Sequence, residues 1–422
     1  MRNERTFAIV GASLAGAKAA ETLRADGFDG RIVLIGTETE IPYERPPLSK
    51  GLLAGDVARA ALHVHPREFY TDQDIELWLG QTVQDLDRPA QELLLHDGTR
   101  LRYDRVLLAT GSAPRRLTIP GSDLDGVLYL RTVEDAERLR DRLRPGSSVV
   151  VVGAGWIGAE VAASARVRGA DVTVVSPAAV LLEHVLGTEL GAVYRDLHAD
   201  HGVRMLMGTG VLAFEGAATV ERVRTSDGRL LPCDVVVVGI GALPRSALAA
   251  RAGLSADDGV LVDEHLQTSD PRVFAAGDIA NAFHPFYGSH LRVEHWANAL
   301  NQGPVAAQSM LGAPAIHDRI PYFFSDQYDV GMEYVGHARH WDRVVFRGDP
   351  AGREFIAFWM DGDRVVAGMN VNVWDVSDAI ADLIRSRGAI ADRDLADPER
   401  PLTSLIPRSR DASVRSAGPS GA

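Results

Sequence analysis

Twice in this chain an apolar run stops at a glycine, a helical pattern follows, and a second apolar run closes the unit. The first copy is TFAIVGASLAGAKAAETLRADGFDGRIVLIG, from Thr6 to Gly36. The second is SVVVVGAGWIGAEVAASARVRGADVTVVS, from Ser148 to Ser176. Strand, tight turn, helix and strand in that order aim a helix N-terminus, with its free N–H groups and positive dipole end, at a phosphate. The first copy carries Gly11 and Gly16, but Ser13 stands at the middle position of G-x-G-x-x-G; the second keeps Gly153, Gly155 and Gly158. Either match alone is weak, because tight helix–strand packing also selects glycine there. Two copies, each between a predicted strand and helix, imply two bound dinucleotides, hence a flavin and a nicotinamide.

The acid that follows such a unit accepts hydrogen bonds from a ribose 2′-OH. After the first copy Glu38 is placed for this, and Glu40 is its equal by charge alone. After the second, the comparable position is Ser176. Glu183 is expected to lie too far along, and no arginine stands ready for a 2′-phosphate. The usual rule therefore does not choose between NADH and NADPH.

A chain of 422 residues implies two or three domains. Arg105 to Leu108 reads as a buried strand ending in the turn at Gly111. The turn-rich residues 112–122 mark a crossing between domains, and Gly239-Ile240-Gly241-Ala242, after the buried run Val235 to Val238, marks the return. Helices are predicted over Val133 to Arg144, Ala297 to Leu311 and, as the last one, Asp378 to Arg387. Val273 to Ala275 leads into Gly277-Asp278, a third point where a turn and a carboxylate can hold a long cofactor, although Gly-Asp is also a common turn. From about His317 the texture becomes aromatic-rich strands. The expected fold is α/β: two Rossmann-like dinucleotide-binding domains, for FAD and NAD(P), plus an α+β C-terminal domain. The boundaries follow as 1–115 and 245–315 for FAD, 116–244 for NAD(P), 316–407 for the C-terminal domain, and a disordered Ser/Gly/Pro/Arg-rich tail at 408–422.

Composition removes several classes. A net charge of −13 argues against nucleic acid as partner. No apolar run approaches the roughly 18 residues of a membrane span, and no signal-peptide pattern opens the chain, so a cytoplasmic location is expected. The one cysteine, Cys233, excludes an intrachain disulfide and is read as a small buried residue beginning the strand before Gly239. Lysine occurs only at Lys18 and Lys50 in an arginine-rich chain, which asks for a reason at Lys50.

Collinear motifs then run through the chain: GASLAG, PYERPPLSK (42–50), LATGS (108–112), LRT (130–132), GAGWIGAE (153–160), GIGALP (239–244), VFAAGDIA (273–280), RVEHWANALNQG (292–303) and PYFFSDQYD (321–329). On these the chain resembles the FAD-dependent ferredoxin reductases of bacterial oxygenase systems, the group of the putidaredoxin and biphenyl dioxygenase reductases, built on the glutathione-reductase-type flavoprotein fold. The resemblance implies FAD contacts at Arg45, Lys50, Val83, Arg131, Asp278 and Val293. Within the motifs it adds Leu14, Ala15, Ala109, Thr110, Gly111, Gly277, Glu294, His295, Trp296 and Phe324 for FAD. For NAD(P) it adds Trp156, Ile157, Glu160, Ser176 and Gly241 to the second set of glycines.

Roles come with the resemblance. Lys50 would stabilise negative charge on reduced flavin. Glu160 would lie near the nicotinamide amide, and His295 and Trp296 beside the isoalloxazine, with His295 as a hydrogen-bonding group rather than a proton donor. Lys50, Glu160 and Trp296 are thus the implied catalytic residues, and no metal is expected. Relatives commonly carry Glu at Ser176, Arg at His184 and Trp at Phe324, so these three depart from the pattern. The implied function is electron transfer from NADH or NADPH through FAD to an iron–sulfur ferredoxin that serves a haem-thiolate or Rieske oxygenase, by a monomer or weak dimer. The C-terminal domain, with Phe324 and Trp296, would face the ferredoxin. Arg339, Arg343 and Arg347 with His337 and His340 are a candidate docking patch, or equally a solvated strand face. Alternatives are an apoptosis-inducing-factor-like NADH-responsive flavoprotein and a cysteine-free NADH oxidase. Disulfide reductases are disfavoured by the lone cysteine, and NADH peroxidases by the absence of cysteine over residues 40–60.

Overall fold

The computed structural model describes residues 4–406, and the tail expected at 408–422 lies outside them. Residues up to Arg319 form one compact unit and those from Ile320 a second.

The first unit holds two parallel sheets of the same plan. In one, Thr6–Val10 lies between Arg31–Gly36 and Arg105–Leu108, with Ile75–Leu79 and Val273–Ala275 at the edges. In the other, Ser148–Val152 lies between Asp171–Ser176 and Val235–Val238, with Arg204–Met207 and Val127–Leu128 at the edges. Phe7 pairs with Ile32 on one side and Arg105 on the other; Val149 pairs likewise with Val172 and Val235. The central strands are buried on both faces, which is why they read as unbroken apolar runs rather than as alternation. Each sheet also carries a small antiparallel one: Val83–Asp87, Glu92–Leu95 and Arg100–Arg102 in the first case, Val211–Glu215, Arg222–Thr225 and Leu230–Pro232 in the second. The repeat seen in the sequence is therefore larger than its two glycine turns. The fold is mixed α/β with mostly parallel, Rossmann-like sheets, as expected.

Both predicted crossings are short strands, and they pair with each other. Ser112–Pro114 runs antiparallel to Ala242–Pro244, with Ser112 opposite Pro244. Other expectations shift in detail. The helix predicted over Val133 to Arg144 ends at Arg142, where Leu143 turns extended. Cys233 lies buried just after Leu230–Pro232 rather than opening Val235–Val238. Burial pushes its thiol up to about 12, as for an inert core residue.

The second unit is an antiparallel sheet in the order Tyr322–Gln327, Val330–Gly336, Arg364–Val371, Glu354–Asp361, Arg343–Asp349. The helix Ser377–Ser386 packs on it where Gly368 leaves room for Ile380. It is not the last helix: a short one follows at Asp392–Ala396. Among the described residues no helix is long and apolar enough to cross a membrane.

Candidate functional site

The two glycine turns have the same internal geometry. Gly11 has φ +127°, and a Cβ there would lie 2.0 Å from the Ala109 carbonyl oxygen; at Gly16 it would lie 2.1 Å from the Gly11 carbonyl oxygen. Gly153 has φ +113°, with the Gly239 oxygen at 2.2 Å, and Gly158 has the Gly153 oxygen at 2.4 Å. Backbone contact thus demands the outer glycines. The middle position is different. At Gly155 a Cβ would meet nothing within 4 Å, and its φ of −83° is ordinary. Ser13 has extended backbone (φ −128°, ψ −164°) and makes no capping bond with its side chain. Protein does not fill the space at Gly155, and Ser13 holds the matching position in ordinary extended backbone, without strain. Ser13→Gly should change flavin retention by no more than about twofold, since glycine for serine at a helix N-cap costs only a few tenths of a kcal/mol. Flavin fluorescence after dilution measures this, and a tenfold loss would mean that the hydroxyl itself holds phosphate.

Around the first turn a cleft is lined by Gly11, Ser13, Glu38, Arg45, Val83 and Thr110, with Ala109 beside them. Glu38 accepts hydrogen bonds from the Tyr43 hydroxyl (2.5 Å) and from Arg45 Nη2 (2.7 Å). Arg45 Nη1 reaches the Tyr43 oxygen (3.1 Å) and the Arg131 carbonyl. Burial opposes ionisation of Glu38, but Arg45 and the Tyr43 hydroxyl outweigh it and hold the carboxyl below its ordinary range. Glu40 instead pairs with Arg59 (2.7 Å) and His63 (2.9 Å) and does not line the cleft. Tertiary structure therefore separates two acids that the sequence left equal.

Asp278 accepts hydrogen bonds from Arg131 Nη2 and Ser112 Oγ, both at 2.8 Å. Its burial would raise its pKa; Arg131 and Ser112 reverse that and lower it. Gly277, at φ +78°, packs against Ala15 on the helix Leu14–Ala25, and its N–H donates to the buried Gln302 Oε1 at 2.8 Å. At Gly303 a Cβ would come within 2.6 Å of the Ala15 carbonyl oxygen, so the helix Trp296–Leu311 presses directly on the first helix. His295 is the N-cap of that helix and Trp296 its first residue. The Val293 carbonyl accepts from Asn298 Nδ2 (2.9 Å), and the Glu294 carboxylate is engaged by Arg292. Gly111 sits at φ +66°.

Lys50 and Glu160, far apart in sequence, meet. Lys50 Nζ lies 3.5 Å from a Glu160 carboxylate oxygen, and the Ser49 hydroxyl donates to the other oxygen. Ser164 Oγ donates to the Ser49 carbonyl at 2.7 Å, which fastens the turn Pro46–Ser49 to the helix Trp156–Val167. Glu160 is 4% exposed, so its charge is held by these partners rather than by water.

At the second turn, Trp156 meets Tyr194 edge-on (ring centroids 5.9 Å apart) and Ile157 is exposed. Gly241, at φ +100°, accepts from the Arg115 N–H (2.9 Å). Ser176 is buried, and its Oγ accepts from the Ala178 N–H at 3.2 Å. The Leu182 N–H donates to the Ala154 carbonyl at 2.8 Å, and the Glu183 carboxylate accepts from the Ala179 N–H at 2.7 Å.

In the C-terminal unit Phe324 is half-buried on Tyr322–Gln327. Of the arginine cluster, Arg343 is tied to Asp392 (2.8 and 2.6 Å) and to Asp342 (2.7 Å). Arg347 donates to the carbonyls of Pro398 (3.0 Å) and Arg400 (2.7 Å). Both arginines make contacts within their own unit.

Sequence reasoning missed Tyr43, Ser112 and Gln302, although each lies inside a motif that was singled out. It also missed Arg245, one residue past GIGALP. A diphosphate-bridged flavin dinucleotide fits the first cleft: Ser13, in the middle of its turn, lines the cleft and has no capping bond to give up, and the buried Nε of Arg45 has no hydrogen-bond partner among the described residues.

The chain matches the pyridine nucleotide-disulphide oxidoreductase family over residues 5–303 and the reductase C-terminal family over residues 322–406. It is 43% identical over 405 residues to the anthranilate 1,2-dioxygenase system ferredoxin–NAD(+) reductase component of Burkholderia cepacia, covering 95% of this chain and 99% of the relative. It is 39% identical over 404 residues to the putidaredoxin reductase of Pseudomonas putida, covering 94% and 96%. Its structure resembles the reductase in a covalent putidaredoxin reductase–putidaredoxin complex, with a TM-score of 0.92, 38% identity, and coverage of 95% of this chain and 98% of that one.

Proposed function

The chain belongs to the pyridine nucleotide-disulphide oxidoreductase family, and from that premise we propose that it is a ferredoxin reductase. It takes electrons from NADH through FAD and passes them to an iron–sulfur ferredoxin that supplies an oxygenase. The observation that carries this reading is similarity along nearly the whole chain, reductase C-terminal region included, to relatives named as a putidaredoxin reductase and as a dioxygenase-system ferredoxin–NAD(+) reductase component.

Bound FAD would supply the conversion of an electron pair from nicotinamide into single electrons. The chain's own residues do the rest. Gly11, Ser13 and Gly16 would let the diphosphate approach the helix N-terminus, and Glu38, oriented by Tyr43 and Arg45, would take the ribose hydroxyls. Asp278, fixed by Arg131 and Ser112, would hold the middle of the cofactor. Gly153, Gly155 and Gly158 would do for NADH what the first turn does for FAD. Lys50 would place its charge near the reduced flavin, and Glu160 would orient both Lys50 and the incoming nicotinamide. The domain assignment goes with this reading: FAD on 1–115 and 245–315, NAD(P) on 116–244, and the C-terminal domain towards the ferredoxin. So do a cytoplasmic location, a monomeric or weakly dimeric state, and a haem-thiolate or Rieske oxygenase downstream.

The test is NADH consumption with and without a ferredoxin and cytochrome c. Turnover should rise strongly when ferredoxin is added. Because acidic ferredoxins dock through screened charge, cytochrome reduction should slow with ionic strength while ferricyanide reduction stays level. Turnover indifferent to ferredoxin would reject the reading and leave an NADH oxidase or an NADH-responsive binding protein in its place.

A further inference from the structure

The charged side chains lining the first cleft are Glu38, Arg45 and Arg245. Glu38 and Arg45 are paired at 2.7 Å, and the nearby Arg131 is paired with Asp278 at 2.8 Å. Arg245 has no such partner: among the described residues its guanidinium makes no hydrogen bond or ion pair, although its backbone is firmly placed. The Arg245 N–H donates to the Gly111 carbonyl (2.9 Å), and its carbonyl accepts from Thr110 Oγ1 (3.2 Å). The paired crossing strands Ser112–Pro114 and Ala242–Pro244 deliver it there.

The surroundings do not favour a third cation. Burial lowers the pKa of Arg245, the neighbouring charges of Arg131 and Arg45 lower it further, and only Glu38 works the other way. Arg45 is balanced by Glu38 and Arg131 by Asp278, so the charge of Arg245 is left over at the cleft. A dinucleotide diphosphate carries two negative charges and no cation of its own. A guanidinium forms short, charge-assisted bonds to phosphate oxygens. Neighbouring arginines that repel an empty cation site make it more receptive to an anion.

We propose that Arg245 is a cofactor-binding residue whose guanidinium holds the diphosphate of FAD in the cleft that the glycine turn also lines. This rests on the reading that the first cleft binds FAD. It makes the second crossing a functional part of the flavin site, so that the segment returning the chain from the nicotinamide region also clamps the flavin.

The test follows flavin release from the full-length holoenzyme by recovery of flavin fluorescence, for wild type, Arg245→Gln and Arg245→Lys. At low salt Arg245→Gln should release flavin about tenfold faster, the size expected for one charge-assisted contact. At high salt it should converge on wild type, and Arg245→Lys should lie between them. Rebinding to the flavin-stripped chain is then challenged with ADP and with adenosine. Arg245→Gln should weaken competition by ADP about tenfold and leave adenosine unchanged. Wild-type release rates in Arg245→Gln, or equal losses for ADP and adenosine, would overturn the assignment while the flavin reading stands. A wild-type protein that holds neither FAD nor ADP would overturn both.

Discussion

Gly153→Ala should yield a yellow protein that NADH no longer bleaches, and Gly11→Ala a colourless one. In each variant the new Cβ would sit against a carbonyl oxygen, at 2.2 Å in the first and 2.0 Å in the second, on a residue whose φ is +113° or +127°. The obstructing atom is backbone, belonging to Gly239 or Ala109 at the end of the adjacent central strand. It can yield only by moving the strand end away from the turn. Positive φ alone costs alanine about 1 kcal/mol relative to glycine. With the overlap added, the phosphate turn loses its shape, and a local misfit of roughly 3 kcal/mol lowers affinity on the order of a hundredfold. The two turns lie in separate sheets, so each loss should be confined to its own cofactor. Flavin absorbance of the purified proteins and stopped-flow bleaching by NADH are the measurements, with circular dichroism to show that the sheets persist. A flavin-loaded Gly11→Ala protein, or a Gly153→Ala protein that bleaches at the wild-type rate, would contradict the assignment of the two turns.

Lys50→Met should be both destabilised and slow, and Lys50→Met/Glu160→Gln should recover the stability but not the rate. The pair is nearly dry: the Lys50 and Glu160 side chains are 14% and 5% exposed. Removing only the lysine takes the cation away from a buried carboxylate, to which the Ser49 hydroxyl still donates. Breaking one side of a buried pair costs about 3–5 kcal/mol; the 3.5 Å separation and the surviving Ser49 bond place this case near the lower end. Glutamine at position 160 carries no charge to strand and can still accept from Ser49, so the double variant should unfold close to wild type. On the role proposed for Lys50 the rate does not recover, because no neutral pair replaces a cation beside reduced flavin. Loss of one preorganised electrostatic contact to developing charge slows chemistry roughly a hundredfold. Thermal unfolding and stopped-flow flavin reduction separate the two effects. If the single and double variants unfold alike, the pair carries no coupling; if Lys50→Met reduces its flavin at the wild-type rate, Lys50 has no part in the chemistry.

Much of the fold was legible because it rests on local properties. The runs at Phe7–Val10 and Val149–Val152 are apolar on both faces, as strands in the middle of a parallel sheet must be. The outer glycines are imposed by backbone contact, and a strand–turn–helix spacing reports that directly. The serine at position 13 looked like a defect only because the fingerprint does not say that backbone contact fixes its outer glycines and not its middle one. Helix ends were less legible. Val133–Arg142 stops short of its Pro-Gly signal, and Asp392–Ala396 is too short for periodicity to reveal.

The site divides along the same line. From sequence alone came the number of phosphate turns, their order along the chain, and the family motifs around them, because strand period, helix start and glycine conformation are decided within a few residues. Which charges meet was decided only by the folded chain. Glu38 enters the cleft while Glu40 goes to Arg59, Lys50 finds Glu160 across two segments, Arg343 and Arg347 are taken up by their own unit, and Arg245 arrives at the same cleft as Glu38, just past the strand Ala242–Pro244. The reason is physical. Charge pairing depends on distances of a few ångströms between residues tens to hundreds of positions apart, and those distances exist only once the sheets and helices have packed.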